Sequence, residues 1–184
     1  MSHTPTTIQN PLIGDEVTFV HTHDSTGGRL TELSIQLQPG GGNQPHFHTA
    51  FAETFCAEEG SLALTVDGTV HHLSPGEQMT APPGVVHRFA NPGDTPIRFT
   101  VRLEPGHQGF EDMLHILYGL ARDGHTNAQS LPRNLSHLGL MGLISDTRLP
   151  GPLRLLDGVF RWLGKRAVRR GVYAELRARY RGEG

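Results

Sequence analysis

The chain has a single cysteine, Cys56, among 184 residues. That excludes an internal disulfide and a zinc cluster built on several thiolates, and Cys56 reads as a buried, inert thiol. No apolar run approaches the roughly 20 residues of a membrane span. The first residues, Met1 to Thr7, lack the basic-then-apolar order of a secretory signal. The expectation is a cytoplasmic protein with no membrane partner. Internal repeats and low-complexity blocks are missing too. Positive charge is scarce at first: residues 1–104 carry four arginines, no lysine and eleven acids. The basic residues gather instead in the last part of the chain, at Arg161, Lys165, Arg166, Arg169, Arg170, Arg177, Arg179 and Arg181. No DNA-binding motif accompanies them, so they read as the solvated face of a helix and no nucleic-acid partner is expected.

What the chain does have is turn residues: 23 glycines and 13 prolines. Between Val17 and Leu103 they separate short runs with alternating apolar residues, such as Leu30–Leu37, Ser61–Val66, Thr69–Leu73 and Ile97–Leu103. Asp67-Gly68 is a tight-hairpin signal between two of these runs. Closely spaced short strands of this kind build a sandwich or barrel. After Glu104-Pro105-Gly106 the period changes. Phe110, Met113, Leu114, Leu117 and Leu120 lie at helical spacing, with Gly124 as a stop. Pro132 and Asn134 introduce a second helix through Ile144. Gly151-Pro152 opens a third through Ala167, and a short fourth runs from Val172 to Tyr180. The expected organisation is a polar segment over 1–16, a β-barrel over 17–104, and an α-helical extension over 105–184. That extension is expected to pack on the barrel or on the partner of a homodimer.

Chemistry concentrates in two blocks. The first is Gly40-Gly41-Gly42-Asn43-Gln44-Pro45-His46-Phe47-His48, followed by Glu53 and then Gly60. Side chains two apart on a strand share a face, so His46 and His48 can meet one ion, and Glu53 can add a carboxylate. The second block runs from Gly76 through Pro82 and Gly84 to His87 and Asn91, and supplies a third imidazole after a sharp turn. Three imidazoles and one carboxylate suit one divalent transition ion: iron, manganese, nickel, copper or zinc. Four protein ligands leave one or two positions of a five- or six-coordinate ion for substrate, water or dioxygen.

These two blocks, PGGGNQPHFHTAFAETFCAEEG and GEQMTAPPGVVHRFAN, resemble the two signature motifs of the cupin superfamily, over about residues 30–104. The resemblance implies a mainly β fold, a jelly-roll β-barrel, here with a C-terminal α-helical extension like that of small bacterial single-domain cupins. It implies a metal inside the barrel, held by His46, His48, Glu53 and His87.

Around that centre Phe55, which shares the parity of Glu53, is expected to be an inward wall residue. Gln44, Met79 and Phe99 are further candidates for the pocket. Cys56 then faces the other way. His21 and His23 repeat the His-x-His spacing without a following carboxylate block and read as surface residues. His71 and His72 point to opposite faces of their strand. His107, His115, His125 and His137 fall on helix faces or ends. The leading functional expectation is an enzyme acting on a small oxygenated molecule, with quercetinase-like dioxygenase chemistry and Glu53 as the catalytic proton acceptor. An isomerase or lyase is the neighbouring expectation. The alternative is a binding or sensor module that holds a small molecule through the ion, and a third reading has the basic helices recruit a partner.

Overall fold

Strand β1 (Thr6–Asn10) pairs with β2 (Asp15–His21), and β2 pairs with β3 (Thr31–Leu37). These belong to a computed structural model that describes residues 5–181, without the side chain of Leu153. The remaining strands are β4 (Ala52–Glu59), β5 (Leu62–Val66), β6 (Thr69–Leu73), β7 (Gln78–Ala81), β8 (His87–Ala90) and β9 (Ile97–Glu104). They form an antiparallel six-stranded sheet in the order β1-β2-β3-β9-β4-β7 and a three-stranded sheet in the order β6-β5-β8. The β5–β6 hairpin turns at Asp67 and Gly68, whose φ angles of 49° and 78° are both left-handed, as a two-residue turn of this type requires.

Cross-strand register explains where the core lies. Phe19, Leu33, Val101, Phe55 and Met79 form one row across five strands of the larger sheet. The next row toward the site is Thr31, Leu103, Glu53 and Ala81. Along β9 the inward residues Ile97, Phe99, Val101 and Leu103 are buried, while Arg98 and Arg102 between them face solvent. A one-residue slip would turn that whole set outward, so burial pins the register. Glu53 therefore lies on the inner face because Phe55 and Ala57, at the same parity, are core residues.

The expectation of an N-terminal polar segment ahead of the barrel is corrected here. Thr6–Asn10 is polar, but it is strand β1, laid along the edge of the larger sheet. On this edge strand only Ile8 and Asn10 are covered, so its sequence shows little hydrophobic alternation, and the backbone pairing asks little of its side chains.

The chain divides into two units, residues 1–108 and 109–184. In the second, α1 (Gln108–Arg122) leads to α2 (Leu135–Ile144), whose first turn is capped by Asn134 Oδ1 accepting from the Ser136 amide at 2.8 Å. Gly151-Pro152 opens a 3-10 turn, Gly151–Leu156, rather than the long helix itself. Helices α3 (Asp157–Arg169) and α4 (Val172–Arg181) follow. Among the described residues no helix is long and apolar enough to cross a membrane.

Two acids of α1, Glu111 and Asp112, are fully buried. Asp112 accepts from Arg177 Nε at 3.1 Å and also from Tyr173 Oη and Arg181 Nη1, while Arg181 Nη2 reaches Glu111 at 3.1 Å. Much of the basic tail is therefore spent inside the helical unit, tying α4 to α1. Asp112→Ala removes the buried acceptor shared by three half-buried donors and is expected to destabilise the fold by roughly 1–3 kcal/mol in denaturant titration. A change within experimental error would mean that the network contributes no net stability.

Candidate metal centre

The segment 42–48 is not a regular strand. It is held against β8 by isolated bridges, Gly42 to Ala90 and His46 to His87. His46 and His87 exchange both backbone hydrogen bonds, at 3.1 and 2.8 Å, so their side chains leave the same face as a directly opposed pair. Asn43 fastens the same edge, its Oδ1 accepting from the Phe89 amide at 2.9 Å. Gly42 has to be glycine here: its φ is 157°, and a Cβ would lie 2.6 Å from the Phe89 carbonyl oxygen. The turn through Pro82 and Gly84 is tied to the first block by the Gly84 amide, which donates to the His48 carbonyl at 2.6 Å. Asn91 completes the clasp, its Nδ2 donating to the carbonyls of Leu37 and Thr95.

Glu53 comes from the six-stranded sheet and His87 from the three-stranded one, so the site lies between the two sheets. One donor atom from each of His46, His48, Glu53 and His87 lies within 4.8 Å of all the others. All four are buried, His46 being the most exposed at 8%. Metal–nitrogen and metal–oxygen bonds of about 2.0–2.2 Å allow donors on opposite sides of one ion to be roughly 4.4 Å apart. The cluster therefore matches one ion's coordination sphere to within a few tenths of an ångström, and its donor chemistry suits a divalent transition ion.

Two imidazoles are oriented for the task by backbone carbonyls. His46 Nδ1 donates to the Gln44 carbonyl at 2.8 Å, and His87 Nδ1 donates to the Val85 carbonyl at 3.0 Å. Each bond commits Nδ1 as the donor and turns Nε2 toward the centre, which is how a protein selects the ligating nitrogen. His87 Nε2 lies 2.6 Å from Glu53 Oε2, and His48 Nε2 lies 3.8 Å from the same oxygen.

The electrostatics follow from this crowding. Burial, then the neighbouring His48 and His87, hold the His46 pKa down at about 3, so its ring stays neutral. Burial works to raise Glu53, but His48 and the hydrogen bond from His87 outweigh it and hold the carboxyl at about 2. Burial lowers His87, yet the hydrogen bond and the negative charge of Glu53 leave its pKa raised. Below that raised pKa the ring carries a proton that a cation has to displace. Cation affinity is therefore expected to rise with pH through the His87 titration and to level off above it. Calorimetric titration with a divalent cation across pH reads this directly. An affinity flat from acid to neutral pH would contradict it.

Aromatic rings wall the centre. Phe51 stacks on His48 with ring centroids 4.5 Å apart, and Phe55 lies 5.9 Å from His87. Phe55 also contacts Phe89 at 6.2 Å, and Phe89 meets Phe99 edge-on at 5.1 Å. Phe99 thus lies one ring further from the ligands, in the core. Met79 is half-buried beside Phe55, its register partner. Gln44 is corrected: its side chain is exposed, and only its carbonyl serves the site, by orienting His46. Face-sharing at spacing two holds on a regular strand, and this segment is not one. His107 sits at the start of α1, immediately before Gln108. Its amide donates to Thr31 Oγ1 at 3.1 Å, and its ring lies 5.0 Å from Phe51. Nothing in the local sequence signals that stack, which extends the row His48–Phe51 outward. His21 and His72 are exposed and His71 is half-buried on β6.

Comparison with known proteins agrees with the geometry. Residues 33–104 match the Cupin_2 family, described as a cupin domain. Over 74 residues, 38% of this chain and 33% of the relative, the chain is 36% identical to Germin-like protein subfamily T member 3 of Arabidopsis thaliana. Over 69 residues it is 36% identical to Probable oxidoreductase patJ of Penicillium expansum, spanning 37% of this chain and 21% of that protein. The matches thus span a third or less of these curated relatives. Among solved structures, an RmlC-like cupin from Shewanella frigidimarina NCIMB 400 superposes with a TM-score of 0.50 at 20% identity. It covers 60% of this chain and 92% of that one, and likeness at that identity concerns the fold alone. Residues 33–104 thus match a cupin domain, within a fold that is mainly β with a helical C-terminal part.

Proposed function

We propose that this chain is a mononuclear metal enzyme that acts on a small oxygenated molecule inside the cupin barrel, with dioxygenase-like oxidation as the reaction class. The observation that carries the reading is the buried convergence of His46, His48, Glu53 and His87 within 4.8 Å. A divalent ion at this point supplies a Lewis acid and, if redox-active, a route for electrons to dioxygen. The residues supply the rest. His46 and His87 are held in one tautomer by carbonyls, so the donors are preorganised. Phe51, Phe55 and Phe89 exclude water and offer flat apolar walls to a ring-shaped substrate. Glu53, ionised at neutral pH, is the acceptor for the proton of a substrate hydroxyl. The similarity to a segment of a protein named as an oxidoreductase supports the redox reading over isomerase or lyase chemistry.

The test is a screen of flavonols, catechols and small keto acids for oxygen consumption by protein loaded in turn with iron, manganese, nickel, copper and zinc. Turnover with a redox-active ion and none with zinc supports the proposal. Tight, reversible ligand binding with no product from any metal form would replace it with the binding-module reading.

A further inference from the structure

The outer face of α3 is not the solvated polar face that its arginines suggest. The 3-10 turn and α3 expose Leu155 at 87%, Val159 at 54% and Trp162 at 55%. Val159 and Trp162, three residues apart, share one face of α3, and Leu155 lies in the 3-10 turn just before it, extending the exposed apolar stripe. Single exposed apolar residues are ordinary, but an aligned stripe ending in the chain's one tryptophan is not. The stripe is also not the core side of the helix. Gly164 and Ala167 are the buried positions of α3, and the backbone of Gly164 lies against Gly139 of α2.

Cations frame the stripe. Lys165, Arg166, Arg169 and Arg170 are exposed on the same helix and its cap, and the Arg166 guanidinium lies 5.8 Å from the centre of the Trp162 ring. Beside them is an open groove of about 380 Å³, lined by the apolar Leu143 and Val168 and the cationic Lys165 and Arg169. None of these cations belongs to the Asp112 network, which uses Arg177 and Arg181.

We propose that this face docks on an anionic lipid bilayer, holding the chain peripherally at the membrane surface. An aromatic residue at headgroup depth, aliphatic residues beside it, and flanking Lys and Arg with apolar stems are what an interfacial helix needs. Charge complementarity selects the occupant. A second copy docked face to face through the same patch would bring two cationic fringes together. A polynucleotide would satisfy the cations and leave Leu155 and Val159 in water. An acidic bilayer takes up both. The attachment is to the surface, since no described helix is fit to span the bilayer. It departs from the expectation that no membrane is a partner, which rested on the absence of a spanning segment and says nothing of surface binding.

The experiment uses the full chain with vesicles of phosphatidylcholine, with and without phosphatidylglycerol. Co-sedimentation and the emission of Trp162, the single tryptophan, are read together. Expected are sedimentation and a blue shift with the anionic vesicles only, weakened by salt. The exposed pair Leu155→Glu and Val159→Glu should abolish both signals. Lys165→Gln with Arg166→Gln and Arg169→Gln should reduce partitioning roughly a hundredfold. No sedimentation with anionic vesicles overturns the proposal. So does a blue shift that follows protein concentration without lipid, which assigns the face to a second copy. Binding to a polynucleotide that survives the Leu155→Glu and Val159→Glu pair, without vesicle binding, overturns it in favour of nucleic acid.

Discussion

His48→Ala is expected to yield a folded barrel that retains almost no metal. His48 is 2% exposed, and its ring is one of four donors around a single point. Changing even an outer-sphere partner of a ligand lowers affinity about 10–100-fold, so removing a ligand should exceed roughly a hundredfold. The variant should lose turnover with the metal, whichever substrate the oxygen screen finds. The measurements are elemental analysis of purified protein and anomalous scattering at the site, beside a far-UV spectrum to confirm the fold. His72→Ala, an exposed imidazole on β6, is the control and should keep its full complement. Equal metal content in His48→Ala and in the unaltered protein would remove the assignment of the centre, and the proposed function with it.

The second large effect is a pair of glycine replacements on one helix with opposite signs. Gly158 and Gly164 both lie in α3, and replacing glycine with alanine in a helix is worth up to about 1 kcal/mol in its favour. At Gly158 a Cβ would meet nothing within 4 Å, so Gly158→Ala should be neutral or stabilising. At Gly164 the same Cβ would collide with the Gly139 carbonyl oxygen and lie 2.9 Å from the Leu143 Cβ. The obstacle is backbone, which cannot rotate away as a side chain does. Gly139 mirrors the constraint, since a Cβ there would be 2.5 Å from the Phe160 carbonyl oxygen. Gly164→Ala should therefore destabilise the fold by roughly 2–3 kcal/mol despite the better helix former. Thermal and denaturant unfolding of the two variants side by side decide it. Equal midpoints would mean that α2 and α3 do not cross as closely as these contacts require.

Much of the site is legible in the sequence because its chemistry is local in the chain. The ligands fall in two short blocks, each with its own turn residues, and Glu53 reveals its face through the parity of Phe55 and Ala57. The hairpin at Asp67-Gly68 and the cap at Asn134 are local in the same sense, since each depends on the φ preference or side-chain reach of one or two residues. The misreadings and the missed ring stack share the opposite property. Thr6–Asn10 has little hydrophobic pattern and becomes a strand only because the edge of β2 is there to pair with it. Gln44 faces out because residues 42–48 follow bridges to β8 rather than a strand's alternation. The ring of His107 meets Phe51 across more than fifty residues of chain.

The basic tail shows the same division within one feature. Its composition alone does not tell Arg177 and Arg181, committed to the buried acids of α1, from Lys165, Arg166 and Arg169, left to frame Trp162. By itself the sequence determined the candidate donor set and the order of strands before helices, because spacing and periodicity are properties of neighbours along the chain, while the jelly-roll class was implied by the resemblance of the two motifs. Only the tertiary structure decided that the four donors converge, that two glycines bring α2 and α3 into contact, and which arginines stay exposed. Those are matters of which distant segments exclude water from one another, and no window of sequence contains both partners.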